Sequence, residues 1–483
     1  MNYKFQMVKK GQIIIVNVEK IAFGGEGIVK IDDFAIFVKG VVLGQKVKIV
    51  INKKKKNYAK AKLLEVLKKS SNEIEPKCKY FGVCGGCRWQ NISYAEQIQL
   101  KNQQVAECLD HIGQVSLDFG KIERIKKSPD IWAYRNKVEF SFGYQQMFSE
   151  VKEDGTRQYF DLEPGLGFHK PGKWEEIVDI DYCDLITKNA NQVFGKIKDW
   201  ALSKGREVYN PKTHRGFWRQ LLLRENQKEE ILVNIIVNEE VEKGFFADLI
   251  VLLENMYTVK SLYYTCHQGL NDNWLESKVI CLWEKDPMFE EILGLRFLIS
   301  PQSFLQTNLK GTEVLYETIV DYVKSMDDSS SGKKSKMFLD LYCGVGTIGQ
   351  ILAAKVSNTS VVGVEMVEEA VEAAFFNAKE NGIDNIDFFC GKVEKVFSEI
   401  LERYSGFDLV VIDPPRAGLH PKALKFLLEM KVKDMVYVSC NPATLARDLR
   451  VLIEGGYELR YLCPVDMFPQ TPHIEVVTAL CLV

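Results

Sequence analysis

The residues with the clearest chemical capacity lie in the last third of the chain. Cys440 falls between an apolar run, MVYVS, and a helix-like segment, NPATLARDLRVLIE, that stops at Gly455-Gly456. A thiol just before a helix start feels the positive end of the helix dipole. Arg447 lies about one turn further on, so a lowered thiol pKa and a nucleophilic role are expected. Upstream, FDLVVI exits into Asp413-Pro414-Pro415-Arg416, a stiff turn that lacks two backbone donors and leaves a carboxylate at a strand end. Near the C-terminus, His473 and Glu475 stand at i and i+2 where an apolar run begins. On a strand that spacing turns both side chains to one face.

A second constellation begins at Met337. An apolar strand to Tyr342 leads into Gly344-Val345-Gly346-Thr347-Ile348-Gly349 and then a helix, and another strand, VVGVE, ends in Glu365, 21 residues beyond Gly344. Glycines at this spacing let backbone approach a ligand at a helix N-terminus, and the acid suits ribose hydroxyls. Alone the loop is weak evidence; the order strand, loop, helix, acid is what gives it weight. Asp340, at the end of the first strand, bears on which ligand is bound. A pyrophosphate avoids a nearby anion, whereas the sulfonium and ammonium of S-adenosylmethionine favour one.

These parts fit one reaction. Carbon 5 of uracil is a poor nucleophile, but thiolate attack on carbon 6 gives an enolate with carbanion character at carbon 5. That carbon can take a methyl from a sulfonium, after which its proton must leave and the thiol is eliminated. The reaction needs a cysteine, a separate base and a methyl donor, and Cys440, Glu475 and the Gly344 loop supply them. Amino-methyltransferases often carry an aromatic after an acid-Pro-Pro turn; here that residue is Arg416, which argues against nitrogen methylation.

The cysteines form a separate group. Cys78, Cys84 and Cys87 crowd into CKYFGVCGGCRWQ, while most of the 12 cysteines are scattered over 483 residues, unlike a disulfide framework. Three close thiols suit a metal, and spacing alone leaves structural zinc and an iron–sulfur cluster both open.

The elements that must position these groups follow from pattern and charge. Residues 1–70 hold 16 Lys, no Arg and 5 acidic residues, a balance of +11, so with a total of −2 the rest of the chain carries −13. A basic module attached to a more acidic catalytic body is implied. Within 11–67, short apolar runs between glycine turns predict an OB-like barrel of four or five strands, with Lys53–Lys56 at a hairpin tip. SYAEQIQLKNQQVAECLDHIG predicts a helix with Ile98, Val105, Cys108 and Leu109 on one stripe, and MDDSSSGKKSK (326–336) reads as a linker. Neither a signal-peptide run nor 18 uncharged apolar residues occur, so a cytoplasmic protein with no membrane association is expected. No obligate protein partner is indicated.

At these residues the chain resembles the RNA uracil-5-methyltransferase family, in its iron–sulfur-containing branch acting on 23S ribosomal RNA, along nearly its whole length. SCNPATLARDL matches the nucleophile motif, which implies Cys440 as nucleophile, and His473-Ile474-Glu475 matches the terminal motif, which implies Glu475 as proton acceptor. The resemblance implies S-adenosylmethionine contacts at Gln306, Tyr342, Gly344, Glu365 and Asp413, and base stacking at Phe304. Cys183 is implied as the fourth ligand beside Cys78, Cys84 and Cys87, and a [4Fe–4S] cluster is implied rather than zinc. Gln470 departs from the His found in many members. The architecture implied is α/β: a TRAM-like RNA-binding barrel (1–68), an α+β central domain with the cysteines (69–300), and a Rossmann-like class I S-adenosylmethionine domain (301–483). A helix around 93–124 is expected to pack on that last domain. Structured RNA is the implied partner, with 23S ribosomal RNA ahead of transfer RNA. A non-catalytic iron–sulfur RNA-binding or assembly factor is the alternative from another class, opposed by intact Cys440, Glu475 and Asp413.

Overall fold

The computed structural model describes residues 8–32, 34–115, 123–145, 148–151, 157–160, 163–326 and 335–483. Two units divide the chain. One comprises Met1–Gly82, Cys87–Ser128 and Asp413–Val483, and the other Val83–Gly86 and Pro129–Ile412.

The first unit opens with six strands: β1 (Ile13–Asn17), β2 (Lys20–Ile21), β3 (Gly27–Ile31), β4 (Phe34–Val38), β5 (Lys46–Lys54) and β6 (Tyr58–Lys68). They lie in the order β1-β5-β6-β4-β3-β2. The run 13–21 pairs with β5 at one end and with β3 at the other, so a single stretch of chain serves both sheet edges and closes a barrel. Period-two patterning drives it: Val47, Ile49 and Ile51 alternate inward on β5 and are fully buried, each stabilising by about 2 kcal/mol. Lys53–Lys56 is exposed where β5 turns into β6, as its charge requires. Six strands form where the pattern suggested four or five, because two apolar runs each divide, into β1 with β2 and β3 with β4; β4 pairs with β6 in parallel across a long connection that local sequence does not announce.

Helix α1 (Tyr94–Cys108) is capped by Ser93, whose hydroxyl accepts the Glu96 amide at 3.2 Å. It widens into one π turn at Leu109–Gly113. Ile98, Val105, Cys108 and Leu109 are buried as the stripe predicted. Residues 116–122 of the expected longer helix lie outside the described residues, as do 327–334 of the expected linker.

The second unit holds two layered sheets. The first is mixed, ordered β10-β11-β7-β12-β13-β14-β15. Its strands are β7 (Lys137–Tyr144), β10 (Pro164–Lys170), β11 (Lys173–Asp179), β12 (Trp218–Glu225), β13 (Ile231–Val237), β14 (Val259–Cys266) and β15 (Val279–Glu284). β8 (Phe148–Val151) and β9 (Arg157–Phe160) form a hairpin, α2 (Lys188–Ser203) and α3 (Ala247–Glu254) accompany the sheet, and β16 (Phe289–Ile292) pairs with β17 (Leu295–Leu298). β12 and β13 are buried at every position, as central strands covered on both faces should be. After α4 (Leu309–Ser325), β18 (Lys336–Leu341), α5 (Thr347–Lys355), β19 (Thr359–Glu365), α6 (Glu368–Glu380), β20 (Ile386–Cys390), α7 (Val393–Arg403) and β21 (Leu409–Ile412) alternate. The four strands run parallel in the order β20-β19-β18-β21, the strand–helix repetition that the text from Met337 predicted.

The chain then returns to the first unit with α8 (Pro421–Met430), β22 (Asp434–Ser439), α9 (Pro442–Glu454), β23 (Tyr457–Val465) and β24 (Glu475–Leu482), β24 lying antiparallel between β22 and β23. The π turn packs on α9: a side chain at Gly113 would meet the Ala446 carbonyl at 3.1 Å. No helix among the described residues is long and apolar enough to cross a membrane.

Candidate active site

Cys440 sits on a short elbow between β22 and α9. The Ser439 hydroxyl accepts the Asn441 amide at 3.1 Å and donates to the Asn441 carbonyl at 3.2 Å, folding the chain around the cysteine. Asn441 caps α9 by accepting the Ala443 amide at 3.1 Å, and its Nδ2 donates to the Arg416 carbonyl at 3.0 Å. The helix that follows Cys440 is thereby tied to the Asp-Pro-Pro-Arg turn. Asp448, fully buried, strengthens the tie: it accepts the Leu419 amide and the Tyr437 hydroxyl, both at 2.8 Å.

The charge balance differs from the one expected. Burial, with the Glu475 carboxyl close by, pushes the Cys440 thiol up to about 11; Arg416 opposes and Asp413 adds to the rise. The cation acting on the thiol is therefore Arg416, not Arg447. Arg447 pairs with Asp448 and donates to the Ala417 and Leu419 carbonyls at 3.1 and 3.2 Å, so its charge is spent holding the loop. The thiol therefore lies above its ordinary value, where a lowered one was expected, and burial is the largest cause. Burial drives Asp413 up to about 7. Glu475, 3% exposed, is held well above its ordinary value by burial and then by Asp413, with Arg416 opposing. The Cys440 thiol and the Glu475 carboxyl thus share the field of one guanidinium.

Glu475 opens β24, but His473 precedes the strand, so the two-residue argument for a shared face does not apply. The His473 amide donates to the Thr471 hydroxyl at 3.2 Å. Arg416 is the residue that sequence reasoning passed over, having been weighed only as a missing aromatic. A lone cation inside an acid-rich motif was the available signal.

In the second unit the glycine loop is built for close approach. Tyr342, Gly344 and Gly346 take φ of 63°, 56° and 78°, the left-handed region. A Cβ at Gly346 would lie 2.8 Å from Gln350 and Phe388, whereas at Gly344 it would meet nothing within 4 Å. One glycine is required by packing, and the other faces open room. The Gly344 amide donates to Glu365 Oε2 at 3.1 Å, while Oε1 accepts the Met366 and Val367 amides at 2.7 and 3.0 Å. Loop and acid are thus brought together, and the cradle fits a nucleoside-bearing ligand. Asp340 is 1% exposed, and its Oδ2 accepts the Gly349 amide at 2.8 Å, so one of its oxygens anchors the helix start.

Phe304 is 65% exposed, available to stack, and Gln306 is half-buried on the same loop. Buried Arg224 donates to the Ser300 and Ser303 carbonyls at 2.6 Å each, and the Thr307 carbonyl accepts the Asn136 amide at 3.0 Å. Cys78, Cys84, Cys87 and Cys183 are all half-buried. Among the described residues no group of three or more His, Cys, Asp or Glu side chains is placed to hold a metal ion.

A parallel α/β sheet with a glycine cradle, joined to a barrel and a cysteine elbow, defines an S-adenosylmethionine-dependent methyltransferase acting on RNA. Comparison with known proteins agrees. Residues 295–481 match the tRNA (Uracil-5-)-methyltransferase family model and residues 8–64 match the TRAM domain. An uncharacterized RNA methyltransferase of Caldanaerobacter subterraneus subsp. tengcongensis is 37% identical over 98% of this chain and 99% of its own length, and one of Clostridium tetani is 36% identical over 98% of each. The crystal structure of Pyrococcus abyssi tRNA (uracil-54, C5)-methyltransferase in complex with S-adenosyl-L-homocysteine superposes with a TM-score of 0.71 at 27% identity, covering 97% of this chain and 100% of that one. The chain belongs to the RNA uracil-5-methyltransferase family.

Proposed function

We propose that this enzyme methylates carbon 5 of a uridine in 23S ribosomal RNA through a transient bond from Cys440 to carbon 6. The observation that carries the reading is the coupled cluster of Asp413, Arg416, Cys440 and Glu475, a thiol and a buried carboxyl under one guanidinium. In the mechanism, Cys440 loses its proton and attacks carbon 6 of a uracil drawn out of its stack. Arg416 favours the thiolate, and Glu475 takes the proton from carbon 5 once the new carbon–carbon bond exists. The electrons of that C–H bond restore the ring double bond, and the C6–S bond breaks to return the thiolate. S-adenosylmethionine supplies an electrophilic methyl on a sulfonium. Gly344, Glu365, Tyr342, Gln306 and Asp413 are the residues proposed to hold it, and Phe304 is proposed to stack on a base.

The three-part division at 1–68, 69–300 and 301–483 and a cytoplasmic location belong to the same reading. So does a [4Fe–4S] cluster on Cys78, Cys84, Cys87 and Cys183, supported by the motif spacing and a four-thiol donor set that suits iron; no step of the methyl transfer is routed through it. Anaerobically purified protein is expected to be brown, and colourless protein containing zinc would overturn the cluster.

A second reading, transfer RNA as substrate, is favoured by the substrate in the Pyrococcus abyssi protein's name. One experiment covers both. The enzyme and S-adenosylmethionine are incubated with 23S fragments or transfer RNA carrying 5-fluorouridine, then run on a denaturing gel. Fluorine cannot leave as a cation, so a covalent adduct should persist on one RNA and vanish with Cys440→Ala. No adduct on either RNA defeats the covalent mechanism.

A further inference from the structure

The connection from β23 to β24, residues 466–474, has no regular structure yet is buried: Asp466, Met467 and Ile474 are fully enclosed, and Gln470 is 3% exposed. A buried irregular segment has to satisfy its backbone polar groups through side chains. One face of α1 does so. Gln97 Oε1 accepts the Gln470 amide at 2.8 Å, and Gln97 Nε2 reaches Gln470 Oε1 at 3.0 Å and the Trp89 carbonyl at 3.0 Å. The Gln470 carbonyl accepts the Arg88 and Trp89 amides at 2.9 and 3.1 Å. Gln470 is held at a φ of 68°, a left-handed conformation that a non-glycine residue keeps only when its surroundings enforce it.

One helical turn further along, Lys101 is 0% exposed. Its Nζ donates to Asp466 Oδ1 at 2.6 Å and to the Phe468 carbonyl at 3.0 Å. That carbonyl also accepts the Thr471 hydroxyl at 2.8 Å, and the same hydroxyl accepts the His473 amide at 3.2 Å, two residues before Glu475. A continuous chain of bonds therefore runs from α1 to His473, two residues short of Glu475, which opens β24.

A buried ion pair is weak evidence for stability, since apolar residues of similar volume often serve as well or better. What such a pair does supply is one fixed arrangement. We infer that Gln97 and Lys101 are positioning residues for Glu475, setting the segment that aims its carboxyl at the carbon 5 proton. The inference rests on the reading of Glu475 as proton acceptor.

The test uses the full-length enzyme and its RNA, with uridine tritiated at carbon 5. Tritium release reports proton removal, the denaturing gel reports covalent enzyme–RNA, and 5-fluorouridine RNA reports thiol attack and methyl transfer alone. For Gln97→Ala, and for Lys101→Met combined with Asp466→Leu, adduct formation on fluorinated RNA should stay within about threefold of wild type. Tritium release should slow about tenfold or more, methylated covalent complex should accumulate on ordinary RNA, and KM for RNA should be unchanged. The apolar double variant removes both buried charges together and leaves neither unpaired, so it reports even where Gln97→Ala does not fold. If attack and release fall together in step with Tm, or if folded variants release tritium at the wild-type rate, the positioning role is wrong. Glu475→Gln separates the two failures. If it releases tritium normally, the base assignment fails and takes the inference with it; if it is defective while the α1 variants are normal, only the inference falls.

Discussion

Cys440 and Cys343 occupy the same local setting. Each follows a strand of the α/β region and precedes a helix, β22 to α9 in one case and β18 to α5 in the other. Their surroundings separate them. Cys343 is 8% exposed, and burial followed by Asp340 and Glu365 drives its thiol well above the ordinary range, with no cation among the groups acting on it. Cys440 is half-buried and has Arg416 opposing the rise. The same strand–cysteine–helix elbow thus gives two thiols of different access and neighbouring charge, and those two properties govern thiol reactivity; they are why the nucleophilic role is proposed for Cys440.

The sharpest way to break this comparison is to remove each sulfur. Cys440→Ala should abolish adduct and lower turnover by roughly four orders of magnitude or more, while Cys343→Ala should keep turnover within about threefold and cost about 1–2 kcal/mol of stability. Equal losses in the two variants would end the distinction. Next in size is the cation itself. Arg416→Met should slow adduct formation about a hundredfold at neutral pH and regain part of it as pH rises. The sign follows from a thiol near 11: the thiolate fraction grows as pH climbs toward that value, so wild-type attack should also quicken with pH. A variant whose deficit does not shrink at high pH would show that Arg416 acts on something other than the thiol. Smaller still, Gly346→Ala strains a φ of 78° and crowds Gln350 and Phe388. It should cost about 1–3 kcal/mol and weaken S-adenosylmethionine binding, measured by calorimetry, with fluorouridine adduct restored at saturating cofactor.

Much of this site is legible in the chain because its chemistry sits on short motifs. The glycine loop, the acid after β19, the Asp-Pro-Pro-Arg turn and the elbow at Cys440 are each contiguous, and local spacing is enough to find them. What is not legible depends on which distant groups meet. Arg447 and Arg416 are both plausible partners for the thiol by sequence, and only the fold shows that Asp448 and two carbonyls engage the first. That Asp340 also anchors the start of α5, through the Gly349 amide, is likewise visible only in the fold. Gln97 and Gln470 are separated by 373 positions and Lys101 and Asp466 by 365, so no local pattern connects α1 with the segment before Glu475. The barrel is legible from alternation, but its parallel β4–β6 pairing is not, since register across a long connection leaves no periodic trace.

The smallest effect concerns a buried acid that has no part in the proposed chemistry. Glu225, at the end of β12, is 5% exposed and raised to about 7 by burial, although the Thr187 hydroxyl, 2.6 and 2.8 Å from its two oxygens, lowers it and Glu229 raises it further. A carboxyl whose folded pKa lies above its unfolded value of 4.5 binds its proton more tightly when folded. Its contribution is fully present below 4.5 and is lost as pH rises through about 7. Glu225→Gln mimics the protonated form at every pH. The variant and the wild type should melt together below about pH 4.5, and the variant should gain a few degrees in Tm between there and about pH 7 and hold that gain above it. A variant that melts below wild type at pH 8 would mean that the ionised carboxylate is satisfied in place. Burial alone would then be a poor guide to the charge state of acids in this protein, Glu475 included.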